Sequence, residues 1–389
     1  IRQLIETEKI DAIFLITDPR YFTWLFQMEN EVRRKIPIAY LNIWDDYPAP
    51  MYNKSYYESC DLLMGISKQT VNINKLVLGD KAKNKIIEYV PHGMNNKFYY
   101  PIPTDSPEYE DVKKLKQQLF PEGKSRFTLF FNSRNIRRKS IPDTMLAWKY
   151  FVDSLPENEA KECYFILHTD LVSDAGTDLL AVRDYIFGSD YTNIIFSSKK
   201  IPANQLNMLY NIADAQILLS SAEGWGLTLT EAMLTGTPII ANVTGGMQDQ
   251  MRFEDENGEW YTPSADVPSN HTGKYKTHGK WAFPVYPNNR SLVGSPTTPY
   301  IWDDRCRPED ATEQILKLYS LTPEERKECG MAGYEWAMSN ESKFTAEKMG
   351  DAVIKNLEQL FETWTPRKHY ELINANTVKE DVLPHKLLY

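Results

Sequence analysis

Glu223 and Glu231 stand eight positions apart around a glycine-bearing turn, Glu223-Gly224-Trp225-Gly226-Leu227. An apolar run, 215–219, leads into the turn. An apolar-periodic helix leads out of it and ends at Thr235-Gly236-Thr237-Pro238. A strand feeding a Gly-x-Gly turn and then a helix presents free backbone N–H groups and the positive helix end at the strand's carboxyl edge, which suits an anion. Glu231, two turns into the helix, returns to a face similar to that of Glu223. Carboxylates are poor phosphate ligands but accept hydrogen bonds from sugar and ribose hydroxyls. The combination fits a sugar attached to a nucleotide diphosphate. From spacing alone, two acids at a solvated helix start, where the dipole favours them, fit as well.

In this context the Glu-x7-Glu pattern resembles the signature of retaining glycosyltransferases of the GT-B fold, family 4 in particular. Other segments carry the same resemblance. Ser133-Arg134-Asn-Ile-Arg137-Arg138-Lys139-Ser140 is similar to the family's Gly-Arg…Lys-Gly segment at Arg134 and Lys139, with serines where glycines are common. Thr244-Gly245-Gly246-Met247 matches the Gly-Gly turn that follows the Glu-x7-Glu helix. Pro91-His92-Gly93-Met94-Asn95 resembles the segment before the interdomain linker, with Asn95 replacing the usual Asp.

The resemblance implies an α/β GT-B architecture of two Rossmann-like domains with parallel sheets facing across a cleft. By the family's pattern, Arg134 and Lys139 hold the diphosphate and Glu231 the ribose hydroxyls. Glu223 and the backbone of Gly224, Trp225, Gly226 and Leu227 contact the transferred sugar. Gly245 and Gly246 join the donor side. The chemistry needs cations here, because a departing nucleotide diphosphate gathers negative charge that fixed positive groups stabilise. Arg137 and Arg138 are expected to face solvent. The family's usual histidine after the strand at 36–43 is replaced by Trp44, so no catalytic histidine is carried over. Asp45, Asp46 and His92 are the acceptor-side candidates.

Absences narrow the class. No Asp-x-Asp pair occurs, so the metal-binding motif of GT-A transferases is missing, and no Cys/His cluster suggests zinc. No Walker A, GxGxxG or GxSxG motif is present. The expectation is a metal-independent hexosyl transfer with no resident cofactor. Its partners would be a nucleotide-diphosphate sugar donor and a sugar, lipid-linked or protein acceptor. A nucleotide-sugar epimerase of the same fold and a non-catalytic sugar-binding protein are the rival readings.

The elements that must position these residues alternate between strand and helix. Apolar runs at 12–16, 36–43, 61–67 and 86–90 read as strands of a first sheet. Runs at 127–132, 164–169, 193–197, 215–220 and 238–242 read as a second. Helical periodicity occupies 141–154, 177–187, 204–212 and 227–235. Short apolar strands alternating with helices indicate βαβ units and parallel sheets. The expected division is a first domain at 1–103, a Pro-, Glu- and Lys-bearing linker at 104–124, and a nucleotide-sugar domain at 125–340. Residues 252–300, rich in Gly, Pro, Asn and aromatics, read as an insertion on that second domain. Residues 341–389 read as a helix crossing back to the first domain, and a tail. The family's Gly-rich opening loop is not in the chain, so the first domain is expected to be incomplete, with a shortened lineage as the alternative.

The bulk properties agree with a two-domain globular protein of 389 residues, 42% hydrophobic. A net charge of -9 argues against a generic nucleic-acid or anionic-membrane surface. No apolar stretch approaches the ~20 residues of a membrane span. Cys60, Cys163, Cys306 and Cys329 are widely scattered, which fits a reducing cytoplasm.

Overall fold

A computed structural model describes residues 1–264 and 269–368. The part of the expected insertion at 265–268 and the expected tail at 369–389 lie outside the described residues.

Four strands, β1 (Ile13–Ile16), β2 (Ile38–Asn42), β3 (Leu62–Gly65) and β4 (Ile86–Tyr89), form a parallel sheet in the order β1-β2-β3-β4. Every residue of β2 and β3 is buried, as expected of parallel strands covered on both faces. β1 is an outer strand and leaves Phe14 and Ile16 exposed.

The second sheet contains β5 (Phe127–Asn132), β6 (Cys163–His168), β7 (Ile194–Ser197), β8 (Ala215–Leu218), β9 (Ile239–Asn242) and β10 (Ala282–Val285). Its order is β10-β9-β8-β5-β6-β7, and all its pairs are parallel. The chain winds one way from β5 to β7, then returns to place β8 on the other side of β5. That reversal makes a crevice at the carboxyl ends of β5 and β8. The helices Ile141–Asp153 and Leu227–Leu234 follow those two strands. Trp148, Phe151 and Phe165 fill the core between sheet and helix.

Two stretches differ from the sequence-based expectation. Residues 252–300 are not all insertion. β10 pairs with β9 and extends the main sheet. Its Pro284 lacks an N–H and is tolerated because β10 is an edge strand. The same proline, set among other glycines and prolines, hid the strand. A hairpin follows, β11 (Asn289–Ser295) with β12 (Thr298–Arg305). The linker also carries a helix, Tyr109–Leu119. Glu110 and Asp111 in its first turn and Lys116 in its last complement the helix dipole, and Val112 is its buried anchor.

The hairpin crosses to the first domain. Trp302 donates its amide to Tyr47 O at 2.8 Å, and the Tyr52 hydroxyl donates to Tyr300 O at 3.2 Å. Arg20 reaches Thr298 Oγ1 at 2.9 Å. The last helix, Ala346–Thr363, also returns to the first domain. Around its start, the Met94 amide donates to Phe344 O at 2.9 Å and the Ala346 amide to Met94 O at 2.8 Å. No helix among the described residues is long and apolar enough to cross a membrane.

A third tie is the buried Asp249, which accepts the backbone amide of Lys68 at 2.8 Å across the domains. Burial pushes the Asp249 carboxyl up to about 6, against that amide and the nearby Lys68 ammonium. The folded chain therefore holds this proton more tightly than the unfolded chain. Its contribution to stability is fully present below the usual carboxylate value of 3.8 and is lost as pH rises through about 6. Asp249→Asn keeps an oxygen for the Lys68 amide. It should be more stable than wild type at pH 8 by about 2 kcal/mol and equal to it near pH 4. Urea unfolding at the two pH values checks this.

Candidate active site

The loops after β5 and β8 are joined where the site forms. The Ser221 amide donates to Arg138 O at 2.8 Å. Residues 137–139 make one 3-10 turn, which ends at Ser140 with φ +49. This is a left-handed conformation that glycine adopts most readily, so Ser140 carries some strain before the Ile141–Asp153 helix. The second loop ends at Gly226 (φ +87), which starts the Leu227–Leu234 helix.

Both loops open into a cleft of about 910 Å3, with Ile16, Thr17, Ile43, Asp45, Ile66 and His92 of the first domain opposite them. Lys139 and Arg138 converge on one oxygen of Glu223. Lys139 Nζ contacts Oε1, and an Arg138 guanidinium nitrogen lies 3.0 Å from the same atom. Burial pushes the Glu223 carboxyl up, but the two cations outweigh it and hold Glu223 at about 2. Burial draws Lys139 below the usual lysine value, with Glu223 opposing. Arg138 also lies 3.9 Å from Asp45 across the cleft.

Glu231 sits on the same side of the cleft, on the helix after Gly226. Its Oε2 accepts from the Tyr210 hydroxyl at 2.6 Å and from Asn132 Nδ2 at 3.2 Å. Asn132 is the last residue of β5, and Tyr210 is held edge-on by Phe130. Burial raises the Glu231 carboxyl, and those hydrogen bonds work against the rise. With two donors on Oε2 and the Tyr99 hydroxyl also close to this carboxylate, Glu231 still has lone pairs to accept from a ligand hydroxyl.

Of the residues singled out from sequence, Glu223, Glu231, Arg134, Lys139, Asp45, His92, Gly224, Trp225, Gly226 and Leu227 all line this one cleft. Arg134 is exposed, and among the described residues it has no ion pair. His92 is half-buried, and burial lowers its pKa, so it is neutral at pH 7. The Trp225 indole is buried behind the loop, where its Nε1 donates to Thr230 Oγ1 at 2.9 Å.

Three expectations are corrected. Arg138 does not face solvent; the 3-10 turn sends it into the cleft and leaves Arg137 outside. Asp46 does not line the cleft. It is fully buried and accepts from the Tyr47 amide at 2.7 Å and Gln69 Nε2 at 2.9 Å; burial and the neighbouring Asp304 raise its pKa well above the usual carboxylate value. Gly245 and Gly246 do not reach the cleft either. They lie behind the donor loop, and the Gly246 amide donates to Glu223 O at 2.9 Å. A Cβ on Gly245 would fall 2.0 Å from that same carbonyl oxygen.

Sequence reasoning missed other lining residues. His168 ends β6, shares a hydrogen bond of 2.9 Å with Ser197 Oγ, and is kept neutral by burial. The Thr169 hydroxyl beside it is buried, with no hydrogen-bond partner among the described residues. Thr17 follows β1 with φ +93, a costly backbone for a β-branched residue and a mark of functional sites. The available signal for His168 and Asn132 was their position at strand carboxyl ends. Among the described residues, no group of three or more His, Cys, Asp or Glu is placed to hold a metal ion.

Known proteins share part of this chain's sequence and its fold. The family described as Glycosyl transferases group 1 matches residues 191–269. Mannosylfructose-phosphate synthase of Agrobacterium fabrum is 24% identical over 191 residues, which is 49% of this chain and 39% of that protein. An uncharacterized glycosyltransferase of Methanocaldococcus jannaschii is 26% identical over 124 residues, 32% of this chain and 30% of that protein. The chain thus spans well under half the length of these curated relatives. Among solved structures, sucrose-phosphate synthase from Thermosynechococcus elongatus superimposes with a TM-score of 0.61 at 15% identity, over 93% of this chain and 76% of that one. Anabaena HepE in complex with UDP and glucose gives 0.65 at 15% identity, over 92% and 81%. The fold is α/β with two Rossmann-like domains, in the GT-B arrangement.

Proposed function

We propose that this GT-B chain is a glycosyltransferase that moves a sugar from a nucleotide-diphosphate donor to an acceptor hydroxyl with retention of configuration and without a metal. One observation carries the reading. Two cations, Lys139 and Arg138, and two carboxylates, Glu223 and Glu231, share one cleft at the carboxyl ends of β5 and β8. The match to glycosyl transferases group 1 and the solved neighbour holding UDP and glucose support it.

In this reading Lys139, Arg138 and Arg134 neutralise the diphosphate, assisted by the N-terminus of the Leu227–Leu234 helix. Glu231 accepts from a ribose hydroxyl. Glu223 and the backbone at 224–227 hold the transferred sugar. The bond from the sugar's anomeric carbon to the diphosphate breaks, and the bond to the acceptor oxygen forms on the same face. The acceptor's proton passes to the departing phosphate oxygen. No protein nucleophile takes part in this scheme. The acceptor enters between Thr17, Asp45 and His92.

A thermal-shift screen of UDP-, GDP- and ADP-sugars tests the donor, because a ligand that binds only the folded state raises Tm. The solved neighbour makes UDP-glucose the first candidate. Glu231→Gln should weaken nucleotide binding by roughly 10-fold or more, the value of a charged hydrogen bond, while wild-type binding survives EDTA. Undiminished binding in Glu231→Gln would remove the ribose assignment. Transfer abolished by EDTA and restored by Mg²⁺ or Mn²⁺ would remove the metal-free mechanism. Donor binding with neither hydrolysis nor transfer would leave a binding protein.

A further inference from the structure

The cations that a diphosphate needs are already engaged. Lys139 and Arg138 meet on Oε1 of Glu223, and all three line the cleft. Glu223 is only 5% exposed and Lys139 only 8%, so water screens this contact poorly. The same Arg138 is shared with Asp45 of the opposite domain at 3.9 Å. Two positive and two negative groups therefore balance within the cluster. A diphosphate brought beside Glu223 meets a like charge as well as two cations, and a like-charge contact of this kind is costly.

We propose that Glu223 is a built-in competitor of the diphosphate. The phosphate oxygens take Lys139 and Arg138 from Glu223, and the carboxylate thus released turns to the hydroxyls of the transferred sugar. A free nucleoside diphosphate gains the two cations but supplies no sugar hydroxyls, so it pays the displacement without that compensation. Glu223 in this way favours the intact donor over the product left after transfer. Arg138 extends the exchange across the cleft, because its contact with Asp45 loosens when it moves to phosphate. The inference rests on the donor reading above, but the competition itself needs only a polyphosphate anion.

The test is calorimetric titration of the full chain with inorganic pyrophosphate, UDP, GDP and ADP, at one low salt concentration. Glu223→Gln should bind pyrophosphate, and whichever nucleotide binds wild type, about 10-fold tighter, as expected for removing an adjacent like charge. Lys139→Gln should bind both more weakly. A merely structural ion pair would move the two variants in the same direction. Glu223→Asp, with the carboxylate drawn back by one methylene, should shift affinity in the direction of Glu223→Gln, by less, and serves if Glu223→Gln does not fold. Tighter pyrophosphate binding with no nucleotide bound by any variant would uphold the competition and overturn the nucleotide reading. Equal or weaker pyrophosphate binding in both Glu223 variants, or none to any protein, would overturn the competition whether or not a nucleotide binds.

Discussion

Replacing Lys139 with methionine should reduce the rate of transfer by about 10²–10³-fold, the usual effect of losing a group that stabilises developing charge. Methionine matches the length and apolar stem of the buried lysine and removes only the ammonium. Arg138 remains 3.0 Å from Glu223, so the carboxylate keeps a partner and the loop keeps its shape. The loss should appear mainly in kcat, because the leaving diphosphate bears more charge in the transition state than in the bound donor. Single-turnover transfer at saturating donor, with circular dichroism as the control for folding, measures it. A kcat within about threefold of wild type, on the logic that such a change is under 1 kcal/mol, would remove Lys139 from the reaction.

Gly245→Ala should be among the most damaging substitutions outside the cleft. Gly245 adopts φ +53, which costs a residue with a side chain about 1–2 kcal/mol. The new Cβ would also stand 2.0 Å from Glu223 O, a backbone atom that cannot swing aside. Relieving that contact moves either the turn or the donor loop, at a further cost of about 1–3 kcal/mol. The combined expectation is a loss of about 2–5 kcal/mol in urea unfolding, with nucleotide affinity falling in the protein that remains folded. Unchanged stability would mean that the turn relaxes without disturbing Glu223.

The strands could be read from sequence because parallel strands covered on both faces are short, predominantly apolar runs. β2, β3, β5 and β8 are of this kind. β10 could not, because Pro284 is acceptable only at a sheet edge, and edge position is a property of the assembled sheet. The Tyr109–Leu119 helix was masked by the surrounding prolines and charges, and Val112 is the one buried residue in it. In the site, spacing alone left Glu223 and Glu231 open to a solvated helix start, and the family resemblance grouped them with Lys139; all three line one cleft. Arg137 and Arg138 are chemically identical neighbours, and a single 3-10 turn decides which one enters the cleft. Asp45 and Asp46 are likewise neighbours of one type, and the segment after β2 turns one into the cleft and buries the other. Gly245 and Gly246 were assigned to the ligand, but their close approach is to the protein's own loop.

The hairpin of β11 and β12 bears on how the cleft can move. The second domain meets the first around Met94, where the returning helix begins, and the covalent crossover follows a few residues later. Those two attachments lie close together and by themselves would leave a pivot. The hairpin grips the first domain elsewhere, at Arg20 and along Tyr47 and Tyr52. A body pinned at two separated points can still turn about the line joining them, so the third tie, from Asp249 to the Lys68 amide, counts as well. The two halves are therefore not free to swing on one another. A swing has to bend the hairpin or release Trp302 from Tyr47, and it also has to part the Lys68 amide from Asp249.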